Sequence, residues 1–393
     1  VHACLSRLPR PIELEPRWRE LEARARPSLF TSWQWIGCWL ESLPQTAWPQ
    51  LLSVEEGGRT VALGTISRSV LRRARIVKSR ALHLNAIGHA DYDNIAIEYN
   101  GLLAEAGMER QVLRCCASHF LGQDDWDEWL FPGVDDSALF GALDLPDVLP
   151  VVEALRPCHY VDLDAVRATG KEYLGFLGRK TRYNIRRCLG EFERTGPVAL
   201  EQAESVPQAL AFLDELQALH QARWESRRSP GAFASSFFRR FHHRFIESGF
   251  PNGAVQLLRV RAGHRTIGCL YNFVHQGRVL CYQTGFDYAL GQQYNSPGMA
   301  THALAIDFNL ARGHKVYDFL AGRSQYKQQL GTHSFDMVWM SLRRNRGKFR
   351  AVDWLRMRKA SLTRAFQWIR RLRRTGEPAL PPEGESTRGG GPA

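Results

Sequence analysis

The feature that most constrains this chain is a change of period in its last third. The stretch AVQLLRVRAGHRTIGCLYNFVHQGRVLCYQTGFD, from Ala254 to Asp287, alternates in hydrophobicity and carries turn residues at Gly263-His264 and Gln276-Gly277. That pattern predicts a three-stranded antiparallel meander. From Ser296 the period becomes helical, with Met299, Ala303, Ile306 and Leu310 on one face. Ser296 is a good N-cap, Pro297 suits the first helical position, and Gly313 suits the C-cap. HKVYDFLAG then returns to strand. The first amides of such a helix have no intrahelical partner and the macrodipole makes that end positive, so NSPG is a candidate anion site. A well-capped helix without a ligand explains the same residues.

The remaining periods predict an α/β protein of two lobes. Residues 1–157 read as one lobe. It has a helix from Pro16 to Arg26 and a second bearing Trp33, Trp35 and Trp39 that stops before Pro44. A hairpin turning at Gly57-Gly58 follows, then strand, loop and strand over ALHLNAIGHADYDNIAIEY. A helix over LLAEAGMERQVLRCCASHFLG and a strand at DEWLFPGV complete it. Residues 158–346 read as a second lobe opening at CHYVDLD. A basic helix ends near Gly196, a long helix carries Val206, Leu210, Leu213 and Leu216, and a third helix precedes the meander. Residues 347–374 read as basic helices. The tail 375–393, rich in Pro, Gly and polar residues, reads as disordered.

Lys and Arg number 52 against 40 Asp and Glu, a net charge of +12, which favours anionic partners such as nucleotides, CoA, tRNA or an acidic membrane surface. The eight cysteines form no C-x-x-C and no Cys/His cluster with zinc spacing. Reduced thiols, a cytoplasmic setting and no metal are therefore expected. The start, VHACLSRLPRP, lacks the apolar core of a signal peptide, and no run approaches the ~20 apolar residues of a membrane span. In 347–374, Trp354, Leu355, Leu362, Phe366, Ile369 and Leu372 lie among many arginines. Such a segment either rests on an anionic membrane as a peripheral contact or packs its apolar side on its own domain.

Several segments carry a resemblance: FTSWQWIGCWLESL, GHADYDN, RKTRYNIRR, LHQARWESR, GFDYALGQQYNSPG and YDFLAGRSQYKQQLG. Together, over residues 25–350, they resemble the CelD/BcsL (BioF-like acetyltransferase domain) group of the GNAT superfamily, which is distantly similar to the Fem peptidyltransferases. The resemblance implies two GNAT-like lobes, each a mixed, mostly antiparallel sheet flanked by helices. The first would be degenerate and the second would hold the donor. It implies an N-acyltransferase using acyl-CoA, acetyl-CoA first among the choices, with an amine or hydroxyl acceptor such as a glycan or cell-envelope precursor. The rival readings are transfer from aminoacyl-tRNA and a non-catalytic partner of a polysaccharide-synthesis complex. Donor contacts would come from Gln292, Asn295, Ser296, Gly298 and Met299. GQQYNSPG lacks the full glycine pattern of the GNAT pyrophosphate loop, a departure that bears on CoA.

Acyl transfer needs a deprotonated acceptor, stabilisation of an oxyanion and a proton for the leaving group. The resemblance implies that Tyr326 protonates the leaving group and that Lys327 stabilises developing negative charge. Asp318 lies on the apolar strand VYDFL, where a carboxylate needs a partner or a raised pKa. It reads either as a general base or as a structural acceptor for backbone or Arg323. His302 reads as structural or catalytic. Lys180, Arg182 and Asn184 lie in the basic segment RKTRYNIRR, Lys180 and Asn184 one helical turn apart. They are candidates for the acceptor or its phosphates, as are Trp224 and the loop residues Asp91 and Tyr92. A solvated face, a core tryptophan and a polar loop are the competing explanations.

Overall fold

The computed structural model describes residues 1–141, 143, 145–289 and 296–352. Among these, thirteen strands form one mixed sheet. The first half of the chain contributes β1 (His2–Arg7), helices α1 (Pro11–Glu22) and α2 (Trp33–Ser42), and the strands β2 (Gln50–Glu56), β3 (Arg59–Arg73) and β4 (Val77–Leu84). It continues with the two-residue β5 (Leu103–Ala104), α3 (Glu109–Leu121), β6 (Glu128–Val134), the short α4 (Ala138–Gly141) and the long β7 (Val148–Asp162). After α5 (Leu163–Ala168) and α6 (Arg179–Glu193), the second half repeats the order. It supplies β8 (Val198–Gln202), α7 (Val206–Glu225), α8 (Ser236–Gly249), β9 (Val255–Ala262), β10 (Arg265–His275) and β11 (Arg278–Phe286). Then come α9 (Pro297–Ala311), β12 (Val316–Ala321), α10 (Gln325–Leu330) and β13 (His333–Arg344).

The strand order is β1-β2-β3-β4-β6-β13-β7-β12-β11-β10-β9-β8, with β5 on β3. It reads the same from both ends once β1 is matched to β8, β2 to β9, β3 to β10, β4 to β11, β6 to β12 and β7 to β13. The two lobes therefore exchange their last strands. β7, from the first half, pairs with β12 of the second, while β13 pairs with β6 of the first. The exchanged strands also pair with each other from His333–Tyr160 to Arg344–Val148. The boundary expected at 157/158 falls inside β7. Residues Val1–Val70 and Arg80–Arg344 form one compact unit, and a second small unit comprises Leu71–Ser79 with the chain from Asn345. Within that small unit Lys348 Nζ donates to Lys78 O at 3.2 Å. The expected segments 353–374 and 375–393 lie outside the described residues.

The hairpin turns fall at Gly57-Gly58, Gly263 and Gln276-Gly277, all at positive φ, as the sequence suggests. The second strand expected in NIAIEY is absent. A single 3₁₀ turn, Asp93–Ile95, stands there instead. Asp93 explains it, because its carboxylate accepts from the amides of Ile87, Gly88 and His89 at 2.8, 2.7 and 3.1 Å and ties the loop to itself. Among the described residues no helix is long and apolar enough to cross a membrane.

Packing couples the halves. Trp35 on α2 is buried edge-on against Phe241 and Phe245 of α8 and Phe273 of β10, with ring centroids at 4.8, 5.4 and 5.7 Å. Each such aromatic contact adds about 0.5–1.5 kcal/mol beyond its burial. Cys38 and Leu40 of the same helix share this core. Urea unfolding followed by fluorescence of Trp18, Trp35, Trp39, Trp126 and Trp129, all in the first lobe, should coincide with the loss of far-ultraviolet circular dichroism from the whole chain. A first lobe that melts separately would show that strand exchange and the Trp35 cluster do not couple the halves.

Candidate functional site

The two parallel strands of the second lobe touch only briefly. β11 and β12 pair at Arg278–Val316, Val279–Tyr317 and Leu280–Asp318, and no further. Beyond that point β11 runs on to Phe286 against β10. β12 bends onto β7 with a shift in register between Asp318 and Ala321. Leu320 sits in the bend with φ +59°, a left-handed conformation that costs a non-glycine residue about 1–3 kcal/mol. The strands thus open into a fork at their carboxyl ends, crossed by α9. In open α/β sheets ligands bind at such carboxyl-end openings.

Asp318 sits at the crotch of the fork and is 0% exposed. One oxygen, Oδ2, accepts from Arg278 Nη1 at 2.7 Å and from the Tyr99 hydroxyl. The other accepts from Leu320 N at 2.8 Å and from the Cys158 thiol at 3.3 Å. With four donors this carboxylate is an anchor for the fork, the arrangement of a structural acceptor. Its partner is Arg278, not Arg323, which is exposed. Burial and the Asp318 charge hold both the Tyr99 hydroxyl and the Cys158 thiol protonated by pushing their pKa values well up.

The α9 start forms as expected, with Ser296 at the cap and Pro297 first. The Ser296 side chain makes no capping bond; its carbonyl accepts from Met299 N at 3.0 Å and Ala300 N at 3.2 Å. Pro297 has no N–H, so Gly298 is the helix-start amide left without an intrahelical acceptor. A Cβ on Gly298 would lie 3.0 Å from the Phe286 ring. The glycine there serves close packing against β11, and the Met299 side chain is buried in the core. Gln292 and Asn295 lie outside the described residues.

One turn on, His302 is fully buried. Its Nδ1 pairs with the Tyr317 hydroxyl at 3.0 Å, while Nε2 has no partner among the described residues. Burial, with Lys327 nearby, lowers its pKa to about 3, so it is neutral and a poor base. Tyr326 stacks on it at 5.2 Å and 13°. The Tyr326 hydroxyl has no hydrogen bond among the described residues, and burial pushes its pKa well up. That state suits a proton donor. Lys327, half-buried, donates from Nζ to Leu320 O at 3.1 Å and Ala321 O at 3.0 Å, clamping the bent end of β12.

Sequence reasoning missed Glu98. It belongs to the first lobe, is 9% exposed, and accepts from Ala321 N at 2.8 Å. Burial raises its pKa to about 7 against the opposing pull of the Ala321 amide and Lys327. The available signal was a lone acid in the apolar run NIAIEY.

The remaining candidates are more scattered. Lys180 is exposed and Arg182 and Asn184 are half-buried on α6, which packs against α9 through its Ile185 face. Trp224 donates from Nε1 to His220 Nε2 at 2.8 Å at the end of α7. Asp91 is exposed, 3.7 Å from His89, while Tyr92 packs edge-on against Phe237 at 5.3 Å. Among the described residues no group of His, Cys, Asp and Glu could hold a metal.

Comparison with known proteins assigns the second lobe. Residues 179–328 match the family described as acetyltransferase (GNAT) domain, and they have the GNAT acyltransferase fold. No curated protein matches the sequence. Among solved structures, L-PGS from Bacillus licheniformis is similar at 12% identity, over 89% of this chain and 97% of that one, with a TM-score of 0.52. A protein of unknown function from Bacteroides thetaiotaomicron is similar at 9% identity, over 86% and 99%, with the same TM-score. FemX aligns at 10% identity over 87% and 97%, with a TM-score of 0.49.

The fork anchor makes two testable demands. Arg278→Met leaves the Asp318 carboxylate buried without its cation, and should cost about 3 kcal/mol in urea unfolding, the low end for a broken buried pair because Arg278 is 38% exposed. His302 supplies the second. Its depressed folded pKa contributes stability that is complete above the unfolded value near 6.5 and is lost as pH falls toward about 3. Thermal scans from pH 7 to pH 4 should show a smaller loss of Tm for His302→Gln than for the parent chain; equal slopes would remove His302 from the acid response.

Proposed function

We propose that this chain is an acyltransferase of the CelD/BcsL type that takes an acyl-CoA in the second-lobe fork and passes the acyl group to an amine of a glycan or cell-envelope precursor, in the cytoplasm. The observation that carries the reading is the protonated Tyr326 hydroxyl, without a hydrogen bond among the described residues, beside the opening between β11 and β12. The acceptor amine attacks the thioester carbonyl, the tetrahedral oxyanion collapses, the CoA thiolate leaves with the Tyr326 proton, and the proton shed by the new amide nitrogen restores the Tyr326 hydroxyl. Lys327, fixed to two carbonyls, has one N–H left among the described residues for the developing oxyanion. Lys180, Arg182 and Asn184 would meet the acceptor or a phosphate from α6. Trp224, Asp91 and Tyr92 would act on the acceptor side.

A second donor, aminoacyl-tRNA, is favoured by one observation: Arg179, Lys180, Arg182, Arg186 and Arg187 crowd the first turns of α6. Contact of 347–374 with a membrane surface remains part of the same proposal.

Calorimetric titration with acetyl-CoA and with charged tRNA separates the donors, and a chain that binds neither would instead be a non-catalytic partner. Tyr326→Phe keeps the stacked ring and removes the proton, so single-turnover transfer should slow by roughly 10²-fold with stability little changed. Lys327→Met should lower kcat more than it raises KM if the ammonium meets the transition state, whereas a lysine that only clamps β12 would show up in Tm. Lys180→Ala and Arg182→Ala should raise KM and flatten its salt dependence; unchanged KM at low salt would assign both to a solvated face.

A further inference from the structure

The described residues contain one place where two strained backbone segments from different lobes are pressed together. On the first lobe, Ala96 at φ +43° and Tyr99 at φ +52° bracket Ile97 and Glu98. On the second, Leu320 at φ +59° and Gly322 at φ +145° bracket Ala321. Non-glycine residues hold such angles only where the surroundings over-determine them, and such positions gather at functional sites. Here the surroundings are visible. Gly133, at the end of β6, has φ +67°, and a Cβ there would lie 2.9 Å from Glu98 Cα and 2.8 Å from Ile97 O. Asn100 N donates to Gly133 O at 2.9 Å, and the Asn100 side chain is held by Asn85 at 2.9 Å and by Leu84 O at 3.0 Å. On the far side Lys327 holds both carbonyls that flank the Ala321 amide.

This scaffolding fixes a single carboxylate. Glu98 spends one oxygen on Ala321 N, and its other oxygen has no hydrogen bond among the described residues. The acid identified by the sequence, Asp318, already accepts from four donors, and His302, its pKa lowered to about 3, is a poor base, so neither is suited to take the proton that amine attack releases. Resting on the acyl-transfer reading, we infer that Glu98 is the general base of the reaction, supplied by the first lobe to the fork of the second. The balance closes. The acceptor ammonium gives one proton to the Glu98 carboxylate, its nitrogen forms the bond to the acyl carbon, the carbon–sulfur bond breaks as the thiolate takes the Tyr326 proton, and the second proton, shed by the nitrogen as it becomes an amide, restores the Tyr326 hydroxyl. The charges that face Glu98 are Lys327 from α10, Asp318 from β12 and Arg156 from β7. Burial, helped by the Asp318 charge and opposed by the Ala321 amide, Lys327 and Arg156, raises its pKa to about 7, near the optimum for a base working at neutral pH.

The test compares the full-length chain with Glu98→Gln, which still accepts from Ala321 N but cannot take a proton. Single-turnover release of CoA thiol from acetyl-CoA, with glucosamine as acceptor, is followed from pH 5.5 to 8.5. In the parent chain the rate should climb through pH about 7 and level off. In Glu98→Gln it should be about 10²-fold lower and lack that limb, with the Kd for acetyl-CoA unchanged. Stability gives a second readout. A folded pKa raised above the unfolded value stabilises below about pH 4.5 and loses that contribution as pH passes about 7. Glu98→Gln should therefore have the higher Tm at pH 8 and no advantage at pH 4.5. A variant that binds acetyl-CoA and keeps the parent rate and pH limb overturns the base role while leaving acyl transfer intact. A parent chain that binds no acetyl-CoA and releases no thiol overturns both.

Discussion

Everything in this molecule hangs on the antiparallel pairing of β7 with β13. Each lobe builds a meander, a crossover helix and a parallel strand, and then lends its last strand to the other lobe. Without β13 the strand β6 would be an open edge; without β7 so would β12. Unpaired edges are costly in exposed backbone polarity and invite wrong pairing. The exchange removes both edges at once, and the register between the two strands extends over most of their length. It also means that the position of β12, and so the shape of the fork, is set by a strand of the first half.

That dependence continues in the polar chemistry of the fork. A buried carboxylate is tolerable only when its oxygens are satisfied and its charge is met. Asp318 meets the requirement with donors drawn from four places: Arg278 on β11, Cys158 on β7, the Leu320 amide in the bend, and Tyr99 from the first-lobe loop. The result ties the parting strands together at the last residue where they still pair. Lys327 and Glu98 then fix the next residues of β12 from opposite sides, one through carbonyls and one through an amide. The bend is held by side chains distant in sequence, which is why Leu320 can sit at positive φ.

Those same long-range ties mark the limit of what could be read from the sequence. The meander, its turns and α9 were legible because each depends on local period and on turn residues a few positions apart. β13 was not, since HSFDMVWMSLRR mixes polar and apolar residues without a clean period, lying between two strands with different surroundings. The short edge strands β1 and β8 were too brief to register. NIAIEY looked like a strand because its local pattern is one; the Asp93 and Asn100 hydrogen bonds that override it come from outside the pattern. At the site, Tyr326 and Lys327 were singled out by resemblance, and Asp318 by the oddity of an acid in an apolar strand. What Asp318 bonds to could not be seen, because Arg278 is forty positions away with no local mark. Gly298 was singled out as a donor contact, but the Phe286 ring packed against it was not legible.

The two similar forks differ in the charge beside their crossover helices. In the first lobe β4 and β6 pair in parallel at Ala81–Glu128, Leu82–Trp129 and His83–Leu130, the counterpart of the β11–β12 contact. The crossover helix there, α3, starts at Glu109 after Met108, with no side-chain cap and an acid in its first turn. A cavity of about 180 Å³ beside it is lined by Glu109, Asp135 and Asp136 as well as Arg26. Carboxylates in the first turn satisfy the positive end of a helix from within and repel a phosphate that would do so from outside. The α9 start has no acidic residue in its first turn. The lobes thus differ in the sign of charge offered at equivalent helix ends while sharing a backbone plan. The loop from Asn85 to Asn100, which leaves β4 on the first-lobe side, delivers both Tyr99 and Glu98 to the second-lobe fork.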